Sequence, residues 1–524
     1  MEIISNAAIK LNLDPQHVAG LGNIIQRSEA INDREFLFAW DYEEAAAAAY
    51  YLDSLGPDPA LPQIPSPLLR DYGFPRIFPD VYGHQKQTAS FLSLRRRAFC
   101  FNEAGTGKTG SALWASDFLM GLGLVKRVLI ICPMSIMYSA WQAEVFKTVM
   151  HRTCGVAYGD KSARIKIING GYDYTIINFD GVGVVRDEIS AARFDLIIGD
   201  EANAWKNAST KRWKTLVKLI NPSTFLWMMT GTPASQSPMD AFGLARLVSP
   251  ERVPKFMTAW RDKVMWQVTR FKWEPKTNAR DQVFQALQPA IRFTKSECLD
   301  LPPVVYETRE VPLSPQVASY YKKLKNQLLI EAAGEEISAV NAAARMSKLL
   351  QISSGCVYSD SREIVEFDIT PRLNVLEEII EEASNKILVF IPYLHTIECV
   401  QKFLNGKKYT TEIIRGDVTV RERTRIFNQF QTQPDPRILL IQPQSASHGV
   451  TLTAADTIVF FSPVLSIETR LQCLGRLDRI GQQNKVLVVD LVGSDIERLC
   501  ARNSQKKLEQ HLGVVDLYKA LKEE

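Results

Sequence analysis

Two series of short, continuous apolar runs, each alternating with helical patterns, constrain the fold of this chain most. The first series comprises RAFCF (97–101), RVLIIC (127–132), YTIIN (174–178), DLIIG (195–199) and FLWMM (225–229). The second comprises KILVFI (386–391), EIIR (412–415), RILLIQ (437–442), TIVFFS (457–462) and KVLVVDLV (485–492). Because runs without polar alternation suit strands buried on both faces, each series predicts a mostly parallel sheet covered by helices. The expected fold class is therefore α/β, with two lobes.

Length and uneven composition predict further segments around these lobes. A chain of 524 residues exceeds what one hydrophobic core usually fills. The Pro-rich stretch GPDPALPQIPSPLL (56–69) separates an acidic, Ala-rich beginning from the first lobe. We expect an acidic amino-terminal accessory segment, a first lobe, a helical, basic insertion or brace, and a second lobe with a carboxy-terminal helix, at residues 1–65, 66–250, 251–350 and 351–524.

The basic stretch KFMTAWRDKVMWQVTRFKWEPK (255–276) interleaves aromatic rings with cations. One interpretation is a nucleic-acid surface, with rings packing on bases and cations on phosphates. The other is an amphipathic helical brace whose aromatic residues are core. The brace is the favoured interpretation, because tryptophan is usually largely buried.

Composition excludes several classes of protein. The net charge of +4 is too small to indicate a polyanion partner by itself. Eight scattered cysteines without a CxxC pair indicate neither a zinc site nor a disulfide framework, and they favour an intracellular, reducing setting. No apolar run reaches about 18 residues, so we expect no membrane insertion. His395 and His448 could be metal ligands, but no cluster of partners is expected around them, so both are interpreted as structural histidines.

The segment NEAGTGKTG, which follows the first apolar run, predicts a phosphate-binding loop. Glycines permit a loop whose N–H groups converge on phosphate oxygens, and the following helix presents its positive end. Lys108 is expected to neutralise β- and γ-phosphate charge and Thr109 to bind Mg²⁺. Asn102 stands where the strict pattern has glycine, whereas the GxGKT core is intact. The predicted nucleotide-binding residues of the loop are Gly105, Thr106, Gly107, Lys108 and Thr109.

In LIIGDEANAW (196–205), four mostly apolar residues are followed directly by two adjacent carboxylates, Asp200 and Glu201. Taken alone, this stretch favours an ordinary turn at a strand end. With a phosphate loop elsewhere in the chain, Asp200 fits the residue that holds Mg²⁺ in P-loop enzymes. Glu201, one residue further, is placed to orient and deprotonate an attacking water.

Further motifs follow in a recognisable order. The first lobe contains YGHQKQTASFL (82–92), LIICPMSIMYSAWQAEVFK (129–147), GDEANAWKNAS (199–209) and MMTGTPASQ (228–236). The second contains IRGDVTVRERTRIFNQF (414–430), QSASHGVTLTAADTIVFFSP (444–463) and LQCLGRLDRIGQ (471–482). Together they resemble, over about residues 80–495, the SWI/SNF-type double-stranded-DNA translocases of helicase superfamily two. The resemblance implies two RecA-like lobes and a compact bacterial or viral member of that family.

The resemblance also implies roles for individual residues. Gln85 would read adenine, and Gly449 and Gln482 would face the nucleotide. Arg476 and Arg479, three apart on one helical face, would complete an ATP site between the lobes and stabilise transition-state charge. Nucleic-acid contact or its coupling to hydrolysis would involve Ser135, Trp141, Asn203, Thr230, Thr232, Gly416, Arg423 and Thr451.

The expected function is an ATP- and Mg²⁺-dependent motor that moves along or remodels duplex or branched DNA without sequence preference. A strand-separating DNA or RNA helicase and a nucleotide-switched binding module with weak ATPase activity are the alternatives. Asn203 and Asp478 replace histidines usual in the family, and IRFTKSECLDLPP (291–303) matches the family's brace only partly. We expect Asn203 to hydrogen-bond within or beside Thr230–Thr232, because an amide both donates and accepts.

Overall fold

A computed structural model of the chain describes residues 1–58, 60–77, 81–234, 237–269, 272–299, 301–334, 339–358, 364–446, 450–479 and 481–501. The described residues form two compact units, one comprising Met1–Leu299 and the other the residues beyond that point.

The amino-terminal segment of the first unit forms a small antiparallel sheet with two helices. Its elements are β1 (Glu2–Ile4), β2 (Ala8–Asn12), α1 (Pro15–Gly22), β3 (Ser28–Ala30), β4 (Glu35–Ala39) and α2 (Tyr42–Leu55). The strands form an antiparallel sheet in the order β1-β2-β4-β3. Buried and partly exposed residues alternate along β2 and β4, so one face of this sheet packs on the alanine-rich helix α2.

The rest of the first unit is an α/β lobe. Its strands are β5 (Arg97–Cys100), β6 (Val128–Cys132), β7 (Cys154–Ala157), β8 (Tyr174–Asn178), β9 (Leu196–Asp200), β10 (Phe225–Met229), β11 (Met265–Gln267), β12 (Trp273–Pro275) and β13 (Ala290–Ile291). Its helices are α3 (Leu68–Asp71), α4 (Gly83–Ser93), α5 (Lys108–Gly121), α6 (Ala143–Thr148), α7 (Lys161–Ile168), α8 (Phe179–Val184), α9 (Arg186–Ala192), α10 (Lys211–Leu219), α11 (Asp240–Val248), α12 (Met257–Val264), α13 (Ala279–Ala286) and α14 (Lys295–Cys298).

Seven of these strands form one parallel sheet in the order β13-β5-β10-β9-β6-β8-β7. Ile197 packs into the hydrophobic cluster on one face, whereas Leu196 and Ile198 pack into the cluster on the other. Both faces of the sheet are therefore covered, which is why its strands are continuously apolar. The strands β11 and β12 form a separate antiparallel pair.

The second unit contains a parallel sheet of six strands in the order β14-β21-β20-β17-β19-β18. The strands of the unit are β14 (Val304–Glu310), β15 (Cys356–Tyr358), β16 (Ile364–Glu366), β17 (Lys386–Phe390), β18 (Thr411–Ile414), β19 (Ile438–Ile441), β20 (Ala455–Phe460) and β21 (Val486–Val492). Its helices are α15 (Pro315–Gly334), α16 (Ala339–Ser354), α17 (Thr370–Glu382), α18 (Leu394–Gly406), α19 (Val420–Thr432) and α20 (Ile467–Leu474). The short strands β15 and β16 form a hairpin.

Two parallel sheets covered by helices confirm the predicted fold class of two RecA-like lobes. Within the described residues, no helix is long and apolar enough to span a bilayer. The region between the two sets of predicted strands contributes more than helices, since β13 joins the edge of the first sheet and β14 the edge of the second.

Candidate functional site

The segment between β5 and α5 forms the predicted phosphate loop. Gly105 and Gly107 have φ angles of 93° and 89°, a backbone conformation that other residues rarely adopt. A Cβ atom on Gly107 would lie 2.0 Å from Gln85 Nε2, so the loop has no space for a side chain there. Because α5 begins at Lys108, its unpaired amino-terminal N–H groups lie at the end of the loop. The loop therefore combines an open backbone with the positive end of a helix, which suits an anion.

Lys108 lies across this loop. Its ammonium group donates to the carbonyl oxygens of Asn102 at 2.8 Å and of Glu103 at 3.2 Å. Thr109 follows as the second residue of α5 and is half-buried. Both residues belong to the first turn of α5, so the Lys108 ammonium group and the Thr109 hydroxyl group lie next to the loop.

Asn102, the departure from the glycine pattern, anchors the base of the loop. Its side chain is buried, donates to Thr88 Oγ1 at 2.8 Å and accepts from the Phe293 backbone N–H at 2.9 Å. Arg292, also buried, donates to the Phe101 carbonyl at 2.8 Å. These contacts join β13 to the loop. The Asn102 side chain therefore fixes the start of the loop by hydrogen bonds, where the strict pattern has a conformationally flexible glycine. Sequence reasoning missed this role because residues 102 and 293 are far apart in the chain.

The glutamine motif contacts the phosphate loop directly. Gln85 is buried, and its amide donates to the Thr106 carbonyl at 3.2 Å and accepts from the Tyr82 backbone N–H at 3.3 Å. His84 Nε2 lies 2.8 Å from the same Thr106 carbonyl. The motif thus supports the loop, and the reading of adenine by Gln85 stays a prediction.

The acidic pair lies where β9 ends. Asp200 is the last residue of the strand, and its Oδ1 atom accepts from the Glu201 backbone N–H at 3.0 Å. Glu201 has a left-handed φ of 53°, which ends the strand abruptly and turns the chain. Burial raises the pKa of Asp200, whereas the charge of Lys108 and a hydrogen bond from Trp141 oppose that rise. The net direction is a raised pKa, and Lys108 and Trp141 are the neighbours that stabilise the ionised carboxylate against burial.

Trp141 lies against the acidic pair. Its ring is fully buried, and its Nε1 donates to Asp200 Oδ2 at 2.9 Å. It belongs to a π-helical turn, Met137–Gln142, a form often found at functional sites. Ser135, in the 3₁₀ turn just before, is half-buried. The motif expected to touch nucleic acid thus also contacts the predicted metal-binding carboxylate.

Asn203 forms the hydrogen bonds expected from the sequence. Its Nδ2 donates to Thr232 Oγ1 at 3.0 Å and to the Thr232 carbonyl at 3.1 Å. The Thr232 backbone N–H in turn donates to Thr230 Oγ1 at 3.3 Å. A Cβ atom on Gly231 would lie 3.3 Å from the Ala104 backbone nitrogen of the phosphate loop. The acidic box, the TGT turn and the phosphate loop therefore form one connected set of contacts.

The sheet explains this convergence. The phosphate loop follows β5, the TGT turn follows β10 and the acidic pair ends β9, and these three parallel strands are neighbours. Because the carboxyl ends of parallel strands share one edge of a sheet, residues distant in the chain meet there.

In the second unit, Arg423 braces the turn that contains Gly416. The Nη2 atom of Arg423 donates to the carbonyl oxygen of Arg415 at 2.7 Å and to that of Gly416 at 3.1 Å. The Gly416 backbone N–H donates to Gln442 Oε1 at 3.3 Å. Burial lowers the pKa of Arg423. The arginine thus positions the turn, and direct nucleic-acid contact by these residues stays a prediction.

The expectation that Arg476 and Arg479 share a helical face is wrong. The helix α20 ends at Leu474, and Gly475 follows as its cap, so both arginines lie in turns beyond it. Arg476 is buried and donates to the carbonyls of Gln472 at 2.9 Å and Val450 at 3.2 Å. Burial, and then the neighbouring Arg476, lower the pKa of Arg479 to about 10. Two adjacent cations favour an anion nearby.

The remaining predicted residues of the second unit differ in what the structure shows. Gln482 is buried, donates to the Ala455 carbonyl at 2.9 Å and accepts from two backbone N–H groups at 3.0 Å each. Thr451 is half-buried in the segment before β20. Gly449 and His448 lie outside the described residues. Gln482 therefore holds a loop, and its nucleotide contact stays a prediction.

The basic aromatic stretch is divided between core and surface. Trp260 on α12 is fully buried and donates to the Pro238 carbonyl at 3.2 Å, as a brace requires. Trp266 on β11 is 49% exposed, and the Arg261 guanidinium lies 4.0 Å from the ring centroid of Trp273. Arg270 and Phe271 lie outside the described residues. The brace interpretation therefore fits α12, whereas the β-pair carries an exposed ring.

Fold and site together define an enzyme core of the P-loop class, with a phosphate loop, an acidic strand end and a second RecA-like lobe. The family description "SNF2-related domain" matches residues 83–360, and "Helicase conserved C-terminal domain" matches residues 371–481. The first match covers more than half of the chain, which therefore belongs to the SNF2-related family. The resemblance predicted from the sequence motifs is confirmed.

Relatives of different lengths share this similarity. The chain is 25% identical over 421 residues to an uncharacterized ATP-dependent helicase, MG018, of Mycoplasma genitalium, and the match covers 78% of this chain and 39% of that protein. It is 23% identical over 482 residues to the mouse chromodomain-helicase-DNA-binding protein 1-like, covering 87% and 52%. The chain thus spans about half or less of the length of these two relatives.

A phage protein is similar over most of its length. The putative protein p41 of Acyrthosiphon pisum secondary endosymbiont phage 1 is 26% identical over 435 residues, a match that covers 78% of this chain and 92% of p41. Among solved structures, the Sulfolobus solfataricus SWI2/SNF2 ATPase core in complex with dsDNA matches at 22% identity and a TM-score of 0.41, covering 85% and 96%.

Proposed function

We propose that this chain hydrolyses ATP to move along double-stranded DNA. The observation that carries the proposal is the meeting of phosphate loop, acidic pair and TGT turn at the carboxyl edge of one sheet. Family membership and the helicase relatives support it. The polynucleotide contacts would be mainly to phosphates, and hence largely independent of sequence and sensitive to salt.

The residues of the first unit fit ATP and Mg²⁺. Gly105 and Gly107 adopt left-handed φ angles, which suit a loop whose backbone N–H groups turn towards a phosphate. Lys108 would neutralise phosphate charge, and Thr109 and Asp200 would hold Mg²⁺ through a hydroxyl and a carboxylate oxygen. Bound ATP with Mg²⁺ supplies the phosphoryl group and the charge neutralisation that its transfer to water requires.

Glu201 would act on the water. It is the one carboxylate of the pair that adopts a left-handed backbone, which separates its side chain from the strand that carries Asp200. In this arrangement Asp200 would hold Mg²⁺ and Glu201 would accept the water proton. The two adjacent acids thus have different tasks.

The Asn203–Thr232 bond would couple the site to DNA. It joins the turn after β9 to the turn after β10, so a shift of either turn is transmitted to the other without passing through the acidic pair. A bond between the two turns would let an ATP-dependent conformational change at one of them move the other.

Steady-state phosphate release tests the proposal, measured without nucleic acid and with single-stranded, duplex, forked and four-way DNA and with RNA. We expect duplex DNA to stimulate turnover, and a triplex-displacement assay to show movement along the duplex. Strand separation by the parent protein would indicate a helicase instead. Turnover that no polynucleotide stimulates would overturn the motor and favour a nucleotide-switched binding module. The same panel decides whether branched DNA is preferred.

A further inference from the structure

Three side chains with metal-ligand chemistry converge on the surface of the second unit. His395 Nε2 lies 2.6 Å from Glu366 Oε1, and one ligand atom of each of Glu366, His395 and Cys399 lies within 4.8 Å of the others. We call these three residues the hairpin cluster. Within the described part of the chain, no other group of three His, Cys, Asp or Glu side chains converges this closely. This corrects the expectation that His395 has no potential ligands around it.

Local structure brings the hairpin cluster together. His395 and Cys399 are four residues apart on α18, and hence on one face of the helix. Glu366 is the last residue of β16 and pairs in register with Cys356 of β15. Cys356 Sγ lies 3.1 Å from Thr396 Oγ1 of α18, which docks the hairpin against the helix. The carboxylate thereby reaches the face that carries the imidazole and the thiol.

A second carboxylate orients the imidazole. Glu398 Oε2 lies 3.5 Å from His395 Nδ1, and the Arg415 guanidinium donates to Glu398 Oε1 at 2.8 Å. In metal sites, the ring nitrogen that does not bind the metal commonly donates to a carboxylate, which fixes the ring orientation. Here Nδ1 lies next to Glu398, and Nε2 lies next to Glu366.

We propose that the hairpin cluster binds Zn²⁺ through Glu366 oxygen, His395 Nε2 and Cys399 sulfur, with water as the fourth ligand. Carboxylate, imidazole and thiolate are the three ligand types that proteins offer to zinc. A simple ion pair would need only Glu366 and His395, whereas the thiol one helical turn away adds a donor that an ion pair does not use. Glu366 is exposed, so its side chain can rotate out of the 2.6 Å hydrogen bond with His395 to the wider ligand spacing of a tetrahedral zinc site.

The proposed ion would pin the β15–β16 hairpin to α18 without taking part in ATP hydrolysis. The inference is therefore independent of the proposed function. Because the metal would bind the folded state, it would raise the unfolding temperature of the protein.

Cobalt titration of the full, chelator-treated chain tests the proposal. We expect one equivalent of Co²⁺ to produce both the thiolate-to-cobalt charge-transfer band and the intense visible bands of a tetrahedral ion. The thiolate band distinguishes this site from the ATP site, where Asp200 and Thr109 offer only oxygen. Cys399→Ser should lose the band, and His395→Ala and Glu366→Gln should each weaken binding at least about tenfold. Cys154→Ser, a half-buried cysteine of β7, is the matched control and should keep it.

Thermal unfolding provides the second measurement. Zn²⁺ should raise the unfolding temperature of the parent and of Cys154→Ser, but not of Cys399→Ser. Equal unfolding of the metal-free variants would show that each is folded. Absence of a thiolate band in the parent, or an undiminished band in Cys399→Ser, would overturn the proposal.

Discussion

The indole of Trp141 donates a 2.9 Å hydrogen bond to Asp200, 59 positions further along the chain. The ring comes from a π-helical turn after β6, and the carboxylate ends the adjacent strand β9. This bond stabilises the ionised form of a carboxyl group whose pKa burial raises. The motif assigned to nucleic-acid contact is thereby joined to the motif assigned to the metal.

Replacing Trp141 by phenylalanine should move the acidic limb of the ATPase pH profile to higher pH. Hydrolysis needs ionised Asp200, and loss of the donor raises its pKa further. A hydrogen bond to a charged group contributes about 1.5–3 kcal/mol, so the shift of the acidic limb should be large enough to measure. Trp227→Phe is the control, because that buried indole donates to the Arg95 carbonyl at the opposite end of the sheet. An acidic limb that shifts equally in both variants would contradict the assignment.

Lys108→Ala should abolish ATP turnover and leave the unfolding transition close to that of the parent. The ammonium group holds two loop carbonyls and faces the expected phosphates, but fills no core position. Turnover and thermal unfolding are the measurements, and the exposed Lys126→Ala in the same unit is the control. Near-normal turnover in Lys108→Ala would contradict the assignment of this loop as the ATP-binding site.

Glu201→Gln should bind ATP with Mg²⁺ but stall before hydrolysis. The amide keeps the shape of the side chain and cannot take the water proton, whereas Asp200 still offers its carboxylate. Nucleotide titration and a single-turnover measurement separate binding from chemistry. Asp200→Asn should instead lose Mg²⁺-dependent binding. If both variants lose binding equally, the two carboxylates do not have the separate tasks proposed for them.

Asn203→Ala should weaken DNA stimulation more than basal turnover, since it removes both bonds to Thr232 and spares the acidic pair. Asn203→His should introduce a pH step near the ordinary histidine value of about 6.5, which the parent lacks. The matched control is the exposed Asn207→Ala. Equal losses of basal and stimulated rates would show that Asn203 only supports the acidic pair.

Arg479→Ala should leave ATP binding and unfolding largely intact and reduce DNA-stimulated turnover by orders of magnitude. Arg476→Ala should also destabilise the fold by about 1–3 kcal/mol, because its buried guanidinium holds the Gln472 and Val450 carbonyls. Chemical unfolding and stimulated phosphate release distinguish the two. A full stimulated rate in Arg479→Ala would assign the transition-state role elsewhere.

Motifs of contiguous residues and continuous apolar strands could be recognised from the sequence. The Gly105–Thr109 loop, the Asp200–Glu201 pair and the strands around them depend on spacing along the chain, and the structure has these elements near the predicted positions. The edge strand β13 could not be predicted from the sequence, because it has only two residues and carries no periodic pattern.

What only the tertiary structure decided are contacts between residues distant in the chain. The Trp141–Asp200 bond, the anchoring of Asn102 to Phe293 and the meeting of Glu366 with His395 each join different elements. The spacing of Arg476 and Arg479 predicted one helical face, but α20 ends at Leu474, before both arginines. Sequence spacing determines which residues share one strand or helix face, whereas strand order and packing determine which faces meet. The sequence therefore predicted the phosphate loop and its chemistry. It did not predict the long-range contacts that hold the loop and the acidic pair in place.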